Sequence, residues 1–224
     1  MLVMLDTADH QSIRDGFEYF PLAGVTTNPS IVAKAKSDFW ALQEGIRTII
    51  GQESLLFVQV VGQTAEEMVA DAKVLQARLG NTTFVKVPVT KEGLKAMPMI
   101  KKAGIGVLAT AVFTPMQALL AARAGADWVA PYVNRIDNIT GDGVGVIAAI
   151  RDIFDQGGID TKIVAASFKN AQQVLECAKL GAEAVTVPAD ILEKLLEHLM
   201  TDWSMDQFNK DWESQYGKKT IADL

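Results

Sequence analysis

The chain has 224 residues, of which 49% are hydrophobic and 21% are charged, and its net charge at pH 7 is −6. This acidic balance argues against a surface that binds nucleic acid, because phosphate backbones select for an excess of Lys and Arg. No apolar run reaches the length of a membrane span and no basic, signal-like segment precedes the first strand, so we expect a cytoplasmic protein without membrane partners.

Apolar, strand-like runs alternate with helix-length amphipathic segments along the chain. This alternation, together with a length typical of the fold, predicts an α/β protein with a single (β/α)8 TIM barrel domain over residues 1–224. A polar helix dotted with aromatic residues is predicted over residues 202–224, and we expect this C-terminal extension to pack on the barrel or on a neighbouring subunit. The predicted strands lie near residues 2–6, 22–27, 55–61, 83–88, 106–111, 127–132, 162–166 and 184–187.

Several helix ends can be placed from the residue types alone. Thr64 with Glu67 has the spacing of a capping box, and Thr114 followed by Pro115 is typical of a helix start. Residues 141–145, GDGVG, match neither GxGxxG nor a Walker motif, so we expect a mobile loop that enters the next helix. Three glycines are predicted to end helices in the left-handed conformation just before strands: Gly104, Gly125 and Gly181.

The sequence contains few residues that could bind a metal or form a disulfide. The single cysteine, Cys177, lies in a predicted helix, which excludes an intrachain disulfide and a thiolate metal cluster. The two histidines, His10 and His198, are both placed in predicted helices rather than at strand ends. The sequence therefore predicts no metal site and no cofactor.

Polar residues stand at or just beyond the ends of seven predicted strands, and in a barrel of this class the chemistry lies at the carboxyl ends of the strands. Lys86 is the most unusual of them, because valines flank it on both sides in a strand that must be buried. Burial disfavours the ammonium form, and a neutral amine attacks a carbonyl to form a Schiff base. The candidates in chain order are Asp6, Thr26, Asn28, Gln59, Lys86, Thr110, Tyr132, Asn134, Arg135, Ser167 and Lys169.

Each candidate also has a purely structural interpretation. Those that precede helices could be simple N-caps, those within strands could be satisfied core residues, and the cations in loops could be solvated surface charges. Lys86 itself could reach solvent or pair with a carboxylate. Because so many strand ends converge on one amine, the sequence favours a single site.

Four segments together resemble the transaldolase superfamily, and within it the fructose-6-phosphate aldolases: FPLAGVTTNPSIVA, FVKVPVTKEGL, VAPYVNRID and AASFKN. The likeness covers nearly the whole chain. It implies that Lys86 forms a Schiff base with a ketose or a small ketone donor and that Arg135, with Lys169, receives the phosphate of a sugar-phosphate acceptor. It also implies a homo-oligomer, usually a decamer. The residues implied to position the donor's hydroxyls or the lysine are Asp6, Asn28 and Ser167.

Two positions distinguish the branches of this superfamily. Transaldolases carry a glutamate on the third strand and a phenylalanine in the strand-six motif, whereas this chain has Gln59 and Tyr132, as the aldolases do. An amide holds a water but exchanges no proton at pH 7, while a phenol can supply one, so Gln59, Thr110 and Tyr132 are predicted to form a water-bridged proton relay. Phe113 departs from the aldolases, which usually have tyrosine there.

The resemblance therefore favours a class I aldolase that reversibly cleaves fructose 6-phosphate into dihydroxyacetone and glyceraldehyde 3-phosphate. A transaldolase that passes dihydroxyacetone to erythrose 4-phosphate is the first alternative. A barrel that binds sugar phosphates without catalysis is the second.

Overall fold

The computed structural model describes residues 1–224 and contains a closed barrel of eight parallel strands. Each strand pairs with the next one in the chain, and the last pairs with the first. The predicted (β/α)8 barrel is thus confirmed. The strands are β1 (Leu2–Asp6), β2 (Gly24–Thr26), β3 (Leu55–Gln59), β4 (Thr83–Pro88), β5 (Gly106–Val112), β6 (Trp128–Pro131), β7 (Lys162–Ala165) and β8 (Ala184–Val187).

Helices follow the strands and surround the barrel, and a short 3₁₀ turn at Ile221–Asp223 follows the last of them. None of the helices combines the length and the apolar character needed to cross a membrane. They are α1 (His10–Tyr19), α2 (Pro29–Ala35), α3 (Phe39–Ile50), α4 (Ala65–Leu79), α5 (Lys91–Lys102), α6 (Pro115–Arg123), α7 (Val133–Asp137), α8 (Gly143–Gly157), α9 (Ala171–Lys179), α10 (Ala189–Lys194) and α11 (Leu199–Tyr216).

Strand bounds differ from the predicted ones mainly where apolar residues continue past the hydrogen-bonded ladder. The second strand begins at Gly24 and the third ends at Gln59, although the apolar runs extend to residues 22 and 61. Leu22 packs against the core outside the barrel and Val60 is buried in it, so hydrophobicity alone overestimates these strands. The first, fourth and eighth strands have the predicted bounds.

Alternate residues of each strand face opposite sides of the barrel wall. The outward residues pack against the helices in one large apolar core. The inward residues nearer the amino ends of the strands form a second cluster, which we call the apolar plug. Its main members are Met4, Phe57, Leu108, Trp128 and Val164. The ring centroids of Phe57 and Trp128 lie 6.1 Å apart in edge-to-face contact, so the barrel interior is filled below the site rather than open.

The helix ends have the predicted caps. Thr64 and Glu67 form a reciprocal capping box, in which the Thr64 N–H donates to Glu67 Oε2 at 2.9 Å. Thr114 caps α6, whose first residue is Pro115. The loop predicted at residues 141–145 is shorter than expected, because helix α8 already begins at Gly143 and only Gly141 and Asp142 of this segment precede it. The three helix-ending glycines all have positive φ angles: Gly104, Gly125 and Gly181.

The C-terminal helix α11 begins at Leu199, ahead of the predicted residue 202, and contains no buried residue. Leu199 is 86% exposed and Trp203 is 57% exposed. Trp212 contacts Tyr216 within the helix and donates its indole N–H to the Lys219 carbonyl at 2.7 Å. The helix therefore stands off its own barrel, with several large apolar side chains in contact with solvent.

Candidate active site

Directly above the apolar plug, the inward positions of the strands change from apolar to polar. The adjacent strands place Asp6 beside Thr26 and Gln59 beside Lys86. Just after β7 the corresponding inward residue is Ala166, which bridges to Tyr132. We call this ring of side chains at the carboxyl ends of the strands the polar layer. Its members are Asp6, Thr26, Gln59, Lys86, Thr110, Tyr132 and Thr186.

The Lys86 amine is buried and held by a single backbone oxygen. The side chain is 4% exposed, and its Nζ donates to the Thr27 carbonyl oxygen at 2.9 Å. It forms no salt bridge. Neither structural interpretation of this lysine is therefore realised, because it neither reaches solvent nor pairs with a carboxylate. The arrangement fixes the position of the amine between β2 and β4.

Thr27, whose carbonyl accepts from Lys86, is itself held by contacts with β3 and with α3. Its N–H donates to the Phe57 carbonyl at 2.9 Å. Its hydroxyl accepts from Gln43 Nε2 at 3.4 Å, and Gln43 is a fully buried residue of α3 whose Oε1 has no partner. Sequence reasoning missed Gln43, since a polar residue inside an amphipathic helix is ordinarily exposed.

Asp6 is oriented by a chain of two hydroxyls. Thr26 Oγ1 donates to Asp6 Oδ1 at 2.6 Å and lies 2.7 Å from Thr186 Oγ1. A threonine hydroxyl carries one proton, so Thr186 must be the donor to Thr26. Thr186 was also missed, although its inward position on β8 follows from strand alternation.

Asp6 does not cap the helix that follows it. That role belongs to Asp9, whose carboxylate accepts from the Ser12 N–H at 2.8 Å. The Ser12 backbone and hydroxyl hydrogen bonds hold the pKa of Asp9 below its usual range. The Asp6 carboxylate thus remains part of the polar layer.

Tyr132 and Thr110 form a direct pair on the far side of the layer. Their hydroxyl oxygens lie 2.8 Å apart, and both residues are buried. Gln59 makes no side-chain hydrogen bond within the protein. The residue lines a rim cavity of about 540 Å³ together with Pro29 and Pro88. Two members of the predicted relay are therefore in contact, while Gln59 lies beside Lys86 instead.

A bulge in β5 sets the orientation of the residues around Tyr132. The pairing with β6 shifts register between Ala109 and Val112, and Ala111 has a φ of +58°. The extra residue lets Thr110 and Phe113 both face the interior, which regular alternation would forbid. The Phe113 ring consequently meets the Tyr132 ring edge-on, with centroids 5.5 Å apart.

The remaining candidates surround the polar layer in loops. Asn28 caps α2, since its Oδ1 accepts from the Ile31 N–H at 3.1 Å, so here the capping interpretation is realised. Ser167 has a φ of +64° and caps no helix, because Asn170 caps α9. The Asn134 N–H donates to the Ser167 carbonyl at 2.8 Å and so brings the loops after β6 and β7 together.

Two cations occupy the outer edge of these joined loops. The Arg135 guanidinium lies over the Tyr132 ring at 4.7 Å from its centroid, and both Arg135 and Lys169 are exposed. Neither forms a salt bridge, so both charges are available to an anion. The structure contains no group of three or more His, Cys, Asp and Glu side chains arranged to hold a metal ion.

A second, largely apolar cavity of about 430 Å³ lies between α2, α3 and α4. Phe39, Trp40 and Val74 line it, and it reaches the candidate site only at Thr27, Asn28 and Gln59. Because Lys86 is not among its lining residues, this cavity is separate from the Lys86 amine.

Comparison with known proteins adds two findings. Residues 3–222 match the sequence model of the family described as Transaldolase/Fructose-6-phosphate aldolase. Among solved structures, the chain is similar to inosine 5' monophosphate dehydrogenase from Legionella pneumophila, with a TM-score of 0.61 and 16% sequence identity over 85% of this chain. The match covers 58% of that longer protein, and at this identity it shows a shared barrel fold alone.

Proposed function

Since this chain belongs to the transaldolase/fructose-6-phosphate aldolase family, we propose that it is a class I aldolase that reversibly cleaves fructose 6-phosphate into dihydroxyacetone and glyceraldehyde 3-phosphate. Family membership makes it a transaldolase/aldolase-type enzyme that acts on sugar phosphates. One observation carries the finer assignment. The residue beside Lys86 is an amide, Gln59, and the buried phenol of Tyr132 is paired with Thr110.

The proposed reaction begins when Lys86 Nζ attacks the C2 carbonyl of the ketose and the adduct loses water to give an iminium ion. The C4 hydroxyl then loses its proton and the C3–C4 bond breaks. Its electron pair moves into the iminium to form an enamine, and glyceraldehyde 3-phosphate leaves. Protonation of the enamine at C3 and hydrolysis of the iminium release dihydroxyacetone and restore the amine.

Tyr132 is the proposed proton carrier in these steps. A phenol can donate and accept, and the contact with Thr110 holds its hydroxyl oxygen in place while leaving either group free to be the donor. Gln59 would hold the water that enters or leaves at C2, because a neutral amide binds water without exchanging protons with it. This division of roles favours release of the donor fragment over its retention.

The other polar groups are proposed to bind substrate. Asp6, with Thr26 behind it, accepts hydroxyls of the donor, and the loop residues Asn28, Asn134 and Ser167 add further polar contacts. Arg135 and Lys169 receive the acceptor phosphate, because a guanidinium matches phosphate oxygens in a fork and both cations are unpaired. In this proposal the buried amine binds the donor end of the substrate, and the exposed cations bind the acceptor end.

We also propose that the protein assembles with copies of itself, as a decamer by resemblance to its family. The support is α11, which exposes Leu199 and Trp203 and buries nothing against its own barrel. Monomeric proteins seldom leave such clusters of large apolar side chains in water.

Borohydride reduction tests the proposal. Incubation with fructose 6-phosphate or dihydroxyacetone, followed by reduction and peptide mapping, should add mass to the peptide that contains Lys86 and to no other. Lys86→Met, checked for intact fold by circular dichroism, should take up no label. Label on Lys91 or Lys169 would overturn the assignment of the nucleophile.

A coupled assay separates the proposed activity from its alternatives. Free dihydroxyacetone should appear from fructose 6-phosphate without any added aldehyde. Turnover only in the presence of erythrose 4-phosphate would identify a transaldolase. Binding of fructose 6-phosphate without label at Lys86 would identify a non-catalytic barrel.

A further inference from the structure

Gln173, in the first turn of α9, uses the full length of its amide to join separate loops. Its side chain is 9% exposed. Oε1 accepts from the Lys169 N–H at 2.9 Å, while Nε2 donates to Asp137 Oδ2 at 2.6 Å and to Asn134 Oδ1 at 3.4 Å. Every polar atom of the amide therefore has a partner.

These hydrogen bonds connect the two segments that carry the exposed cations. Lys169 follows β7, whereas Arg135 lies on α7 between Asn134 and Asp137, after β6. That helix has only five residues and no side-chain cap at its start, so it has little stability of its own. Asp137 also fixes its far end, because Asp137 Oδ1 accepts from the Gly143 N–H at 2.8 Å. One buried amide thus ties the backbone at Lys169 to the helix that presents Arg135.

The two groups that Gln173 joins require an amide at position 173. The Lys169 N–H needs an acceptor, and the Asp137 carboxylate needs a donor. A carboxylate at position 173 would meet the carboxylate of Asp137, and an apolar side chain would leave a buried acceptor without its partner. Glutamine supplies one acceptor and two donors in a single side chain.

Gln117 occupies the position in α6 that Gln173 occupies in α9, but it makes no hydrogen bonds across loops. It occupies the first turn of α6, and its Oε1 accepts from the Phe113 N–H at 2.8 Å, just as Gln173 accepts from the residue four positions before it. Its amide nitrogen makes no bond to another loop. Capping therefore explains Oε1 of Gln173 and leaves the two bonds of Nε2 unexplained.

We propose that Gln173 is a positioning residue that sets the spacing of Arg135 and Lys169 for the phosphate group of the acceptor. This inference rests on the proposed function in one respect, that these two cations receive that phosphate. In this proposal Gln173 acts through the segments that carry Arg135 and Lys169, and contacts neither the substrate nor the reacting atoms.

The first test replaces the amide with an apolar side chain of similar length. Gln173→Met should raise KM for glyceraldehyde 3-phosphate in the aldol direction about tenfold or more. It should leave kcat and the reaction of unphosphorylated glyceraldehyde within about twofold, because the lost interaction concerns phosphate binding alone. Inhibition by inorganic phosphate should weaken in parallel. Gln117→Met, which removes a cap but no cross-loop bond, should leave the ratio of KM values for the two acceptors unchanged.

The second test exchanges donor and acceptor across the junction. Gln173→Glu alone should impair phosphate binding, because two carboxylates then face each other. Adding Asp137→Asn should restore it, since the new amide donates to the new carboxylate and the net charge of the pair is unchanged. Asn134 can follow by rotating its own amide to present a donor. Recovery in the double variant also keeps the inference testable if Gln173→Met fails to fold.

Arg135→Ala separates the failure of this inference from the failure of the proposed function. If Arg135→Ala lost activity equally with both acceptors, Arg135 would not be a phosphate-binding residue. The proposed roles of Arg135 and of Gln173 would then both be wrong. If Arg135→Ala selectively weakened the phosphorylated acceptor but Gln173→Met did not, only the positioning role of Gln173 would be overturned. Failure of Asp137→Asn to rescue Gln173→Glu would overturn it as well.

Discussion

The hydroxyls of Tyr132 and Thr110, 2.8 Å apart, share a single proton between them in their contact. If Thr110 donates, the phenolic proton of Tyr132 is free to point at the substrate that we propose is bound to Lys86. If Tyr132 donates its hydrogen bond to Thr110, the phenol presents its oxygen as an acceptor. The pair can therefore act with either polarity, which suits a reaction that runs in both directions.

Tyr132→Phe should lower release of free dihydroxyacetone from fructose 6-phosphate by about 10²- to 10⁴-fold, the loss typical of a missing general acid/base. The ring and its contact with Phe113 remain, so packing should change little. Borohydride labelling of Lys86 should survive. Thr110→Val, which leaves the phenol in place, should cost less. Near-normal cleavage by Tyr132→Phe would remove the chemical basis for preferring aldolase over transaldolase.

Cys177 should be inert in the folded protein. Burial, followed by the nearby charges of Asp137 and Glu176, raises the pKa of the Cys177 thiol to about 12. Iodoacetamide at pH 8 should therefore label the protein only after denaturation in urea, because the thiolate is the reactive form. Fast labelling of the native protein, at the rate of the denatured one, would contradict this.

The same shift predicts a loss of stability in alkali. The folded pKa of the thiol lies above its ordinary value of 9.0. The stability that the buried neutral thiol contributes is therefore complete below pH 9.0 and is lost between that pH and about 12, because the thiol of the unfolded chain ionises first. Cys177→Ala should remove this part of the alkaline decline. Urea midpoints of both proteins, measured from pH 8 upward, provide the check.

The sequence identified residues whose immediate neighbours reveal their environment, and missed those whose partners are distant. Lys86 stands between valines, and the other strand-end residues follow from alternation. Gln43, Gln173 and Thr186 look ordinary, because their hydrogen bonds join residues 16, 36 and 160 positions apart. No local pattern encodes such contacts.

Among the elements, β5 is the one whose irregularity shapes the site. A non-glycine residue in the left-handed region costs roughly 1–2 kcal/mol, and Ala111 carries that cost at the bulge. In exchange, Thr110 and Phe113 both reach the interior. The capping box of Thr64 and Glu67 and the helix start at Thr114 could be predicted from their residue types. This bulge could not, because an alanine in a strand does not indicate a positive φ.

Ala111→Gly should stabilise the protein by about 0.5–1 kcal/mol, because glycine adopts a positive φ without steric cost. Ala109→Gly, two residues earlier in the regular part of the same strand, should destabilise it by about 1 kcal/mol through lost burial and added chain entropy. Urea denaturation of both variants measures the two signs. Destabilisation of similar size in both would mean that the bulge is not strained.

At the scale of the whole molecule, α11 is an element without a partner on its own barrel. Its length and its hydrogen bond from Trp212 to Lys219 show a formed helix, yet it buries no residue. The sequence predicted the helix from its pattern but could not place it, since an aromatic stripe does not say which surface it meets.

Trp203→Glu should therefore leave the fold of the barrel intact and reduce the mass of the particle in sedimentation velocity. A charge in an apolar interface between subunits is costly, whereas on a free helix surface it is not. Asn209→Glu, an exposed position of the same helix with the same change in charge, is the control. An unchanged sedimentation coefficient for Trp203→Glu would exclude the first turns of α11 from the contact.

The apolar plug has a kinetic consequence. Because Met4, Phe57 and Trp128 fill the barrel below Lys86, substrates enter and products leave through one mouth. In the proposed mechanism the donor fragment is bonded to the buried Lys86 and the phosphorylated aldehyde lies nearer the exposed cations, so the aldehyde should leave first and dihydroxyacetone last. This order of release predicts a specific pattern of product inhibition. Dihydroxyacetone should compete with fructose 6-phosphate for the empty enzyme, whereas glyceraldehyde 3-phosphate should inhibit noncompetitively.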